Sequence, residues 1–300
     1  MTSEIRDELD RIGNDRASGA TALVLRGIAV LRSVSRDRDL LRETARVLWR
    51  RQPSMAGFRT AAALVLVADD PARELDTLAE RLGRSSAAIA RFAAPLVRVR
   101  RPNATTLRVV TCSRSAVVEH TLREIASAGP LSVVCAESRP AREGVALAQA
   151  LSAAKIKVLL YSDAGIGAAI PDADAVVVGA DAVAESGFMN KVGTAALAAL
   201  ARVHGIPVLV LAGREKVLPE PAYQTLAIVK GPSAEIAPEL GGASVENPYF
   251  ERIPIELMSQ LVTDEGPLPP ADVAKATSWT SAATEQYMRA LAEDNLLDTD

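Results

Sequence analysis

From about residue 104 onward the chain carries short, almost wholly apolar runs rich in β-branched residues, at 107–110, 131–135, 158–161, 175–178 and 207–211. Such runs suit strands covered on both faces, which is the situation of a parallel sheet. Between them lie Ala- and Leu-rich stretches at 141–154 and 192–203. These are long enough for the crossover helix that parallel strands require. The pattern predicts an α/β fold, a Rossmann-like parallel sheet with helices on both faces. A shorter run at 226–230 reads as an edge strand, the proline-rich 267–270 as part of a wrapping arm, and the polar stretch from Trp279 as a final helix.

The first hundred residues lack this texture. Ile5, Leu9 and Ile12, then Leu23, Leu25, Ile28 and Leu31, then Leu40, Leu41, Val47 and Leu48 recur at helical spacings. Asp69-Asp70-Pro71 starts a helix whose buried stripe is Leu75, Leu78 and Leu82, ending at Gly83, and a further helix covers about 85–96. The expected organisation is an N-terminal helical domain over 1–103 and a Rossmann-like α/β domain with a C-terminal arm over 104–300.

Composition narrows the function. Lys plus Arg is 34 and Asp plus Glu is 37, a net charge of −3, which offers no general field for a polyanion. Aromatic residues make up 3%, too few for a base-stacking platform. Direct nucleic-acid binding is therefore not expected. No apolar run approaches the ~18 residues that cross a bilayer, and the charged start 1–8 has no apolar core of a secretory signal. With two cysteines in 300 residues, a reducing, cytoplasmic address is the simplest expectation. Neither His120 nor His204 has a ligand partner at a metal-binding spacing, so no metal is expected, and there is neither a Gly-x-Gly-x-x-Gly after a strand nor a P-loop.

In open α/β sheets ligands bind beyond the carboxyl ends of the strands, where strand order reverses. The residues there are Cys112-Ser113-Arg114-Ser115, Glu137-Ser138-Arg139-Pro140, Asp163, Gly179-Ala180-Asp181 and Gly213-Arg214-Glu215-Lys216. A doubly wound order makes the first and fourth strands neighbours and sets Cys112 and Asp181 on opposite lips of one crevice. Cys112 lies where backbone N–H groups favour a thiolate or anion, with Ser113, Arg114 and Ser115 as added donors. The other reading makes it a small buried residue at a strand end. Asp181 is either a site carboxylate or a helix N-cap. Asn190 and Lys191 precede another predicted helix start, aimed at sugar hydroxyls or phosphate unless they form an exposed turn. Lysine is scarce, six in all and none before Lys155, which makes Lys191 and Lys216 notable. Cys135, inside an apolar run, is read as core, His120 as surface and His204 as the end of a helix.

These motifs, with Gly144, the segment 186–194 and the later 247–251 and 263–266, resemble the initiation factor 2B alpha/beta/delta-like family. That family includes methylthioribose-1-phosphate isomerase and ribose 1,5-bisphosphate isomerase. Cys112 and Asp181 fall on the cysteine and aspartate that its isomerases carry. The resemblance implies a cofactor-free aldose–ketose isomerase acting on a C1-phosphorylated ribose. It implies Asp181 as acid near the ring oxygen, Cys112 at C1 and C2, and a homodimer or higher homo-oligomer paired through the α/β domains.

The phosphate-holding segments depart from the family. Where its isomerases have Arg-Gly-Ala, this chain reads Ser18-Gly19-Ala20. A second segment reads Gln52-Pro53-Ser54-Met55-Ala56-Gly57, with Arg51 one residue early. Neither Ser nor Gln reproduces the planar grip of arginine on phosphate, and Arg16, Arg51 or Arg114 are the candidates to replace it. The competing expectation is a non-catalytic initiation factor 2B-like regulatory subunit that senses a nucleotide or sugar phosphate. An assembly subunit without a ligand is a third.

Overall fold

The computed structural model describes residues 1–15, 18–99, 103–237 and 243–293. It opens with α1 (Ser3–Asn14), α2 (Ala20–Ser33), α3 (Arg38–Arg51), α4 (Ala56–Val67) and α5 (Pro71–Val97). Side-chain caps mark several of these starts. Thr2 Oγ1 accepts the Ile5 N–H, Asp37 accepts those of Asp39 and Leu40, and Asp70 accepts that of Arg73.

The two helices expected over 71–83 and 85–96 are one, α5. Gly83 does not stop it, because a helix packed along its whole length absorbs the ~1 kcal/mol cost of an interior glycine. The first half of α5 puts Leu75, Leu78 and Leu82 into the helical core, and the second half lays Ile89, Ala93 and Val97 on the sheet. The helix is thus shared by two cores.

The α/β part follows as β1 (Leu107–Thr111), α6 (Ala116–Ser127), β2 (Leu131–Ala136), α7 (Glu143–Ala153), β3 (Lys157–Tyr161), β4 (Ala175–Gly179), β5 (Ala182–Ala184), β6 (Gly187–Lys191), α8 (Thr194–Val203), β7 (Val208–Leu211), α9 (Glu220–Gln224), β8 (Phe250–Pro254), β9 (Gln260–Thr263), β10 (Gly266–Leu268) and α10 (Ser281–Glu293). The main sheet runs β10-β9-β7-β4-β1-β2-β3, parallel throughout except for β10. Val109 and Val110 of β1 face Ala175 and Val176 of β4, so strand order reverses between these two, as the doubly wound pattern predicts. Helices α5, α6 and α7 cover one face and α8 the other.

The run at 226–230 does not extend this sheet; Lys230 makes only an isolated bridge to Pro248. The edges are instead β3 and β10, the latter formed by the proline-rich segment itself. A second sheet, β5-β6-β8, is antiparallel. It lies between the cores: Ala182, Ala184 and Met189 face the helices, while Val183, Phe188 and Ile253 face the α/β interior. Helix α10 returns to the N-terminal helices, where Tyr287 meets Trp49 and Trp279 edge-on with ring centroids 5.3 and 5.1 Å apart. The helical core therefore draws on both ends of the chain. Among the described residues no helix is long and apolar enough to cross a membrane.

Candidate functional site

The small sheet fixes the site. Asp181 sits in the link between β4 and β5, with its N–H donated to Met189 O at 2.8 Å and its carbonyl accepting the Ala56 N–H at 3.2 Å. No helix begins there, so the N-cap reading of Asp181 falls. Asn190 and Lys191 end β6, paired with Glu251 and Phe250 of β8. They belong to a buried strand and not to a helix start or an exposed turn, since the pairing to β8 holds them before Gly193 turns the chain into α8. Alternation along β6 sends Asn190 to the side of Phe188, toward the α/β interior, and Lys191 to the side of Met189.

Cys112 follows β1 and is buried. Its Sγ lies 3.4 Å from Thr194 Oγ1. The Asn190 amide donates to that same Oγ1 at 3.0 Å, and the hydroxyl donates to Lys191 O at 2.6 Å. Burial pushes the Cys112 thiol up to about 11; a hydrogen bond from Thr194 and the charge of Lys191 oppose the rise, and Glu251 and Asp163 add to it. Helix α6 does not offset the loss of solvent, and the thiol is neutral at physiological pH. Cys135 is core as expected, its thiol pushed up to about 12 chiefly by burial.

The Lys191 side chain is 4% exposed and its Nζ donates to Glu143 Oε1 at 2.9 Å. The ammonium also sits over the Tyr249 ring, 5.2 Å from its centroid. Glu143 Oε2 is buried without a protein partner. Burial raises the Asp181 carboxyl above its ordinary value; Lys216 and then Lys191 pull it back, and Glu143 reinforces the rise. Lys216 itself is held by donation to Ala180 O at 2.7 Å. One cation, Lys191, therefore acts on both Cys112 and Asp181. The thiol and the carboxyl thus have Lys191 as a shared neighbouring charge.

The other expected residues divide. Ser113, in a left-handed conformation with φ 61°, donates its N–H to Ser138 Oγ at 2.7 Å. Ser115 stands at the N-cap position of α6 without a side-chain cap bond, its Oγ filling the space that a Cβ on Gly179 would need. Asp163 accepts the Ser138 and Arg139 N–H groups, both at 2.7 Å, and so fixes the turn beyond β2. This turn lies beside the cluster. The side chains of Arg114, Glu137 and Arg139 are turned to other partners: Arg114 to Glu119, Glu137 to Arg142 and Arg139 to Glu235 O.

Ser18 hydrogen-bonds Asp15 through both its N–H and its hydroxyl at 2.8 Å, while Gly19 caps α2 and Ala20 begins it. Arg51 pairs with Asp10, its methylenes against Gly13. Among the described residues no hydrogen bond or ion pair joins these four to Cys112 or Asp181. Arg16 lies outside the described residues. Glu143, Thr194, Tyr249 and Glu251 were not among the expected binding residues; Glu251 accepts the Ala195 N–H at 2.8 Å at the start of α8. Thr194 lay in the motif segment 186–194 and Tyr249 and Glu251 in 247–251, whereas Glu143 carried no signal of its own. Among the described residues no group of three or more His, Cys, Asp or Glu could hold a metal ion.

The model of the initiation factor 2 subunit family matches residues 18–270. Ribose 1,5-bisphosphate isomerase of Archaeoglobus fulgidus is 31% identical over 164 residues, covering 53% of this chain and 52% of that protein. Methylthioribose-1-phosphate isomerase of Desulforudis audaxviator is 38% identical over 155 residues, 47% and 43% of the two chains. Translation initiation factor eIF2B subunit beta of Dictyostelium discoideum is 32% identical over 168 residues, 54% and 43%. The chain spans about half the length of the curated relatives it matches. Among solved structures, the Pyrococcus horikoshii OT3 translation initiation factor eIF-2B superposes with a TM-score of 0.79 at 22% identity, over 90% of this chain and 98% of that one. Sugar-phosphate isomerases and eIF2B subunits thus stand side by side among its relatives, and the chain belongs to the initiation factor 2 subunit family.

Proposed function

We propose that the chain is a cofactor-free aldose–ketose isomerase for a ribose phosphorylated at C1, of the ribose 1,5-bisphosphate or methylthioribose 1-phosphate type. The observation that carries this reading is the buried end of β6, where Asn190 and Cys112 meet at Thr194 and Lys191 pairs with Glu143, with Asp181 hydrogen-bonded to Met189 of the same strand. A C1 phosphate blocks spontaneous ring opening. Asp181, its carboxyl raised by burial, donates a proton to the ring oxygen as the C1–O bond breaks. Hydrogen then passes from C2 to C1 and the 2-hydroxyl proton returns to the Asp181 carboxylate, leaving the carbonyl at C2, with Cys112 beside the C1–C2 edge. Asn190, Lys191 and Lys216 supply the donors and positive charge for phosphate. A cytoplasmic address and pairing through the α/β part complete the proposal, and the exposed Leu159 and Leu160 on edge strand β3 support self-association.

The runner-up is a regulatory eIF2B-like subunit that binds a sugar phosphate or nucleotide without turning it over. Ser18 in place of the arginine and the engagement of Arg51 by Asp10 favour it. Incubation with each of the two C1-phosphates, beside Cys112→Ser and Asp181→Asn, separates the readings. Turnover by the parent chain that both substitutions abolish supports the isomerase. Thermal stabilisation by ligand without turnover supports the sensor.

A further inference from the structure

Thr194 Oγ1 lies at the meeting point of three polar groups: Lys191 O at 2.6 Å, Asn190 Nδ2 at 3.0 Å and Cys112 Sγ at 3.4 Å. A hydroxyl has one proton and two lone pairs. A carbonyl oxygen can only accept, so the Thr194 proton goes to Lys191 O. Both lone pairs are then left to receive donors. Asn190 must present its NH₂, and Cys112 must present its S–H. All three side chains are buried, so no solvent competes for these positions. We infer that Thr194 is a positioning residue that holds Cys112 as a neutral, hydrogen-bond-donating thiol and ties it to the Asn190–Lys191 strand end.

The consequence concerns what Cys112 can do. A hydroxyl turned to the sulfur would favour the thiolate; with its proton given to Lys191 O at 2.6 Å, Thr194 presents only lone pairs to Cys112, and the network opposes ionisation as burial does. The thiol is arranged to exchange a proton with a neighbouring atom, not to attack as an anion and form a carbon–sulfur bond. Anything that displaces the Asn190 amide, such as a bound phosphate oxygen, reaches the thiol through one shared oxygen. The role of Cys112 at the sugar rests on the isomerase reading; the hydrogen-bond direction does not.

The test is the infrared S–H stretch of the full chain, with the Cys112 band assigned by its loss in Cys112→Ser. In Thr194→Val the band is expected to move to higher frequency, as a thiol without an acceptor does, while Thr194→Ser restores the parent position. Turnover of a C1-phosphorylated ribose is expected to fall at least tenfold in kcat in Thr194→Val, with KM within about twofold, and to recover in Thr194→Ser. An S–H band at the same frequency in Thr194→Val and the parent chain overturns the inference. Should the valine variant not fold, the parent band decides alone, because a Cys112 S–H at the frequency of a thiol in an apolar solvent overturns it equally. Absence of turnover in the parent chain with the band shifted as expected defeats the isomerase reading and leaves the inference standing.

Discussion

The ion pair between Lys191 and Glu143 is unequal, and that inequality gives a number. Lys191 has a side chain 4% exposed, whereas that of Glu143 is 31% exposed, with 2.9 Å between Nζ and Oε1. Removing one partner of a buried pair costs about 3–5 kcal/mol, because the other charge is left without compensation. Lys191→Met leaves behind a carboxylate that regains part of its hydration, which places the cost near the bottom of that range or just below it, about 2–3 kcal/mol. Glu143→Leu leaves an ammonium with almost no access to water, with the Tyr249 ring and the more distant Asp181 carboxyl as attractive partners. Its cost lies near the top, about 4 kcal/mol. Replacing both by apolar residues removes the uncompensated charge, so the double variant should cost less than the sum of the singles by about 2 kcal/mol or more. Urea unfolding at pH 7 with an unchanged slope measures all three. Equal costs for the two single variants, or a coupling below about 0.5 kcal/mol, would refute the argument that Lys191 is the desolvated member.

Three further outcomes are expected. The folded chain keeps the Cys112 proton that the unfolded chain loses, from the ordinary thiol value of 9.0 up to about 11, so stability falls as pH rises through that window. The two-unit difference is worth up to roughly 3 kcal/mol, and Cys112→Ser should flatten the decline in pH-dependent unfolding. Gly144→Ala would set a Cβ 1.7 Å from the Ala136 carbonyl oxygen, backbone against backbone. It should destabilise by more than about 3 kcal/mol in urea, and a change within about 0.5 kcal/mol would contradict the packing of α7 on β2. Asp163→Ala deletes the acceptor of two backbone N–H bonds in the turn beyond β2. A loss of about 2–3 kcal/mol is expected, with faster amide exchange at Ser138 and Arg139; unchanged exchange there would count against the anchor.

The parallel sheet was legible because each of its central strands is buried on both faces and must be apolar along its length, as in β1, β2, β4 and β7. The same legibility placed Cys112 and Asp181 at neighbouring strand ends. The small antiparallel sheet was not legible. Its strand β5 has only three residues, and β6 reads Gly-Phe-Met-Asn-Lys, mixed in character because Phe188 and Met189 meet the two hydrophobic cores while its end, Asn190 and Lys191, meets the polar cluster. That mixture made Asn190 and Lys191 look like the approach to a helix. Glu143 gave no local sign of its role, since it becomes a site residue only through a partner 48 positions away. Gly83 misled in the opposite sense, because tertiary packing on two cores outweighs a local preference for ending α5.

A crystal structure of the chain with ribulose 1,5-bisphosphate bound tests most directly whether the thiol and the carboxyl serve one ligand. The account predicts a phosphate against Asn190 and Lys191, with Asp181 within about 2.6–3.2 Å of the oxygen released from the ring and Cys112 Sγ beside C1 or C2 of the same molecule. A ligand seated elsewhere, or one touched by only one of Cys112 and Asp181, would contradict it.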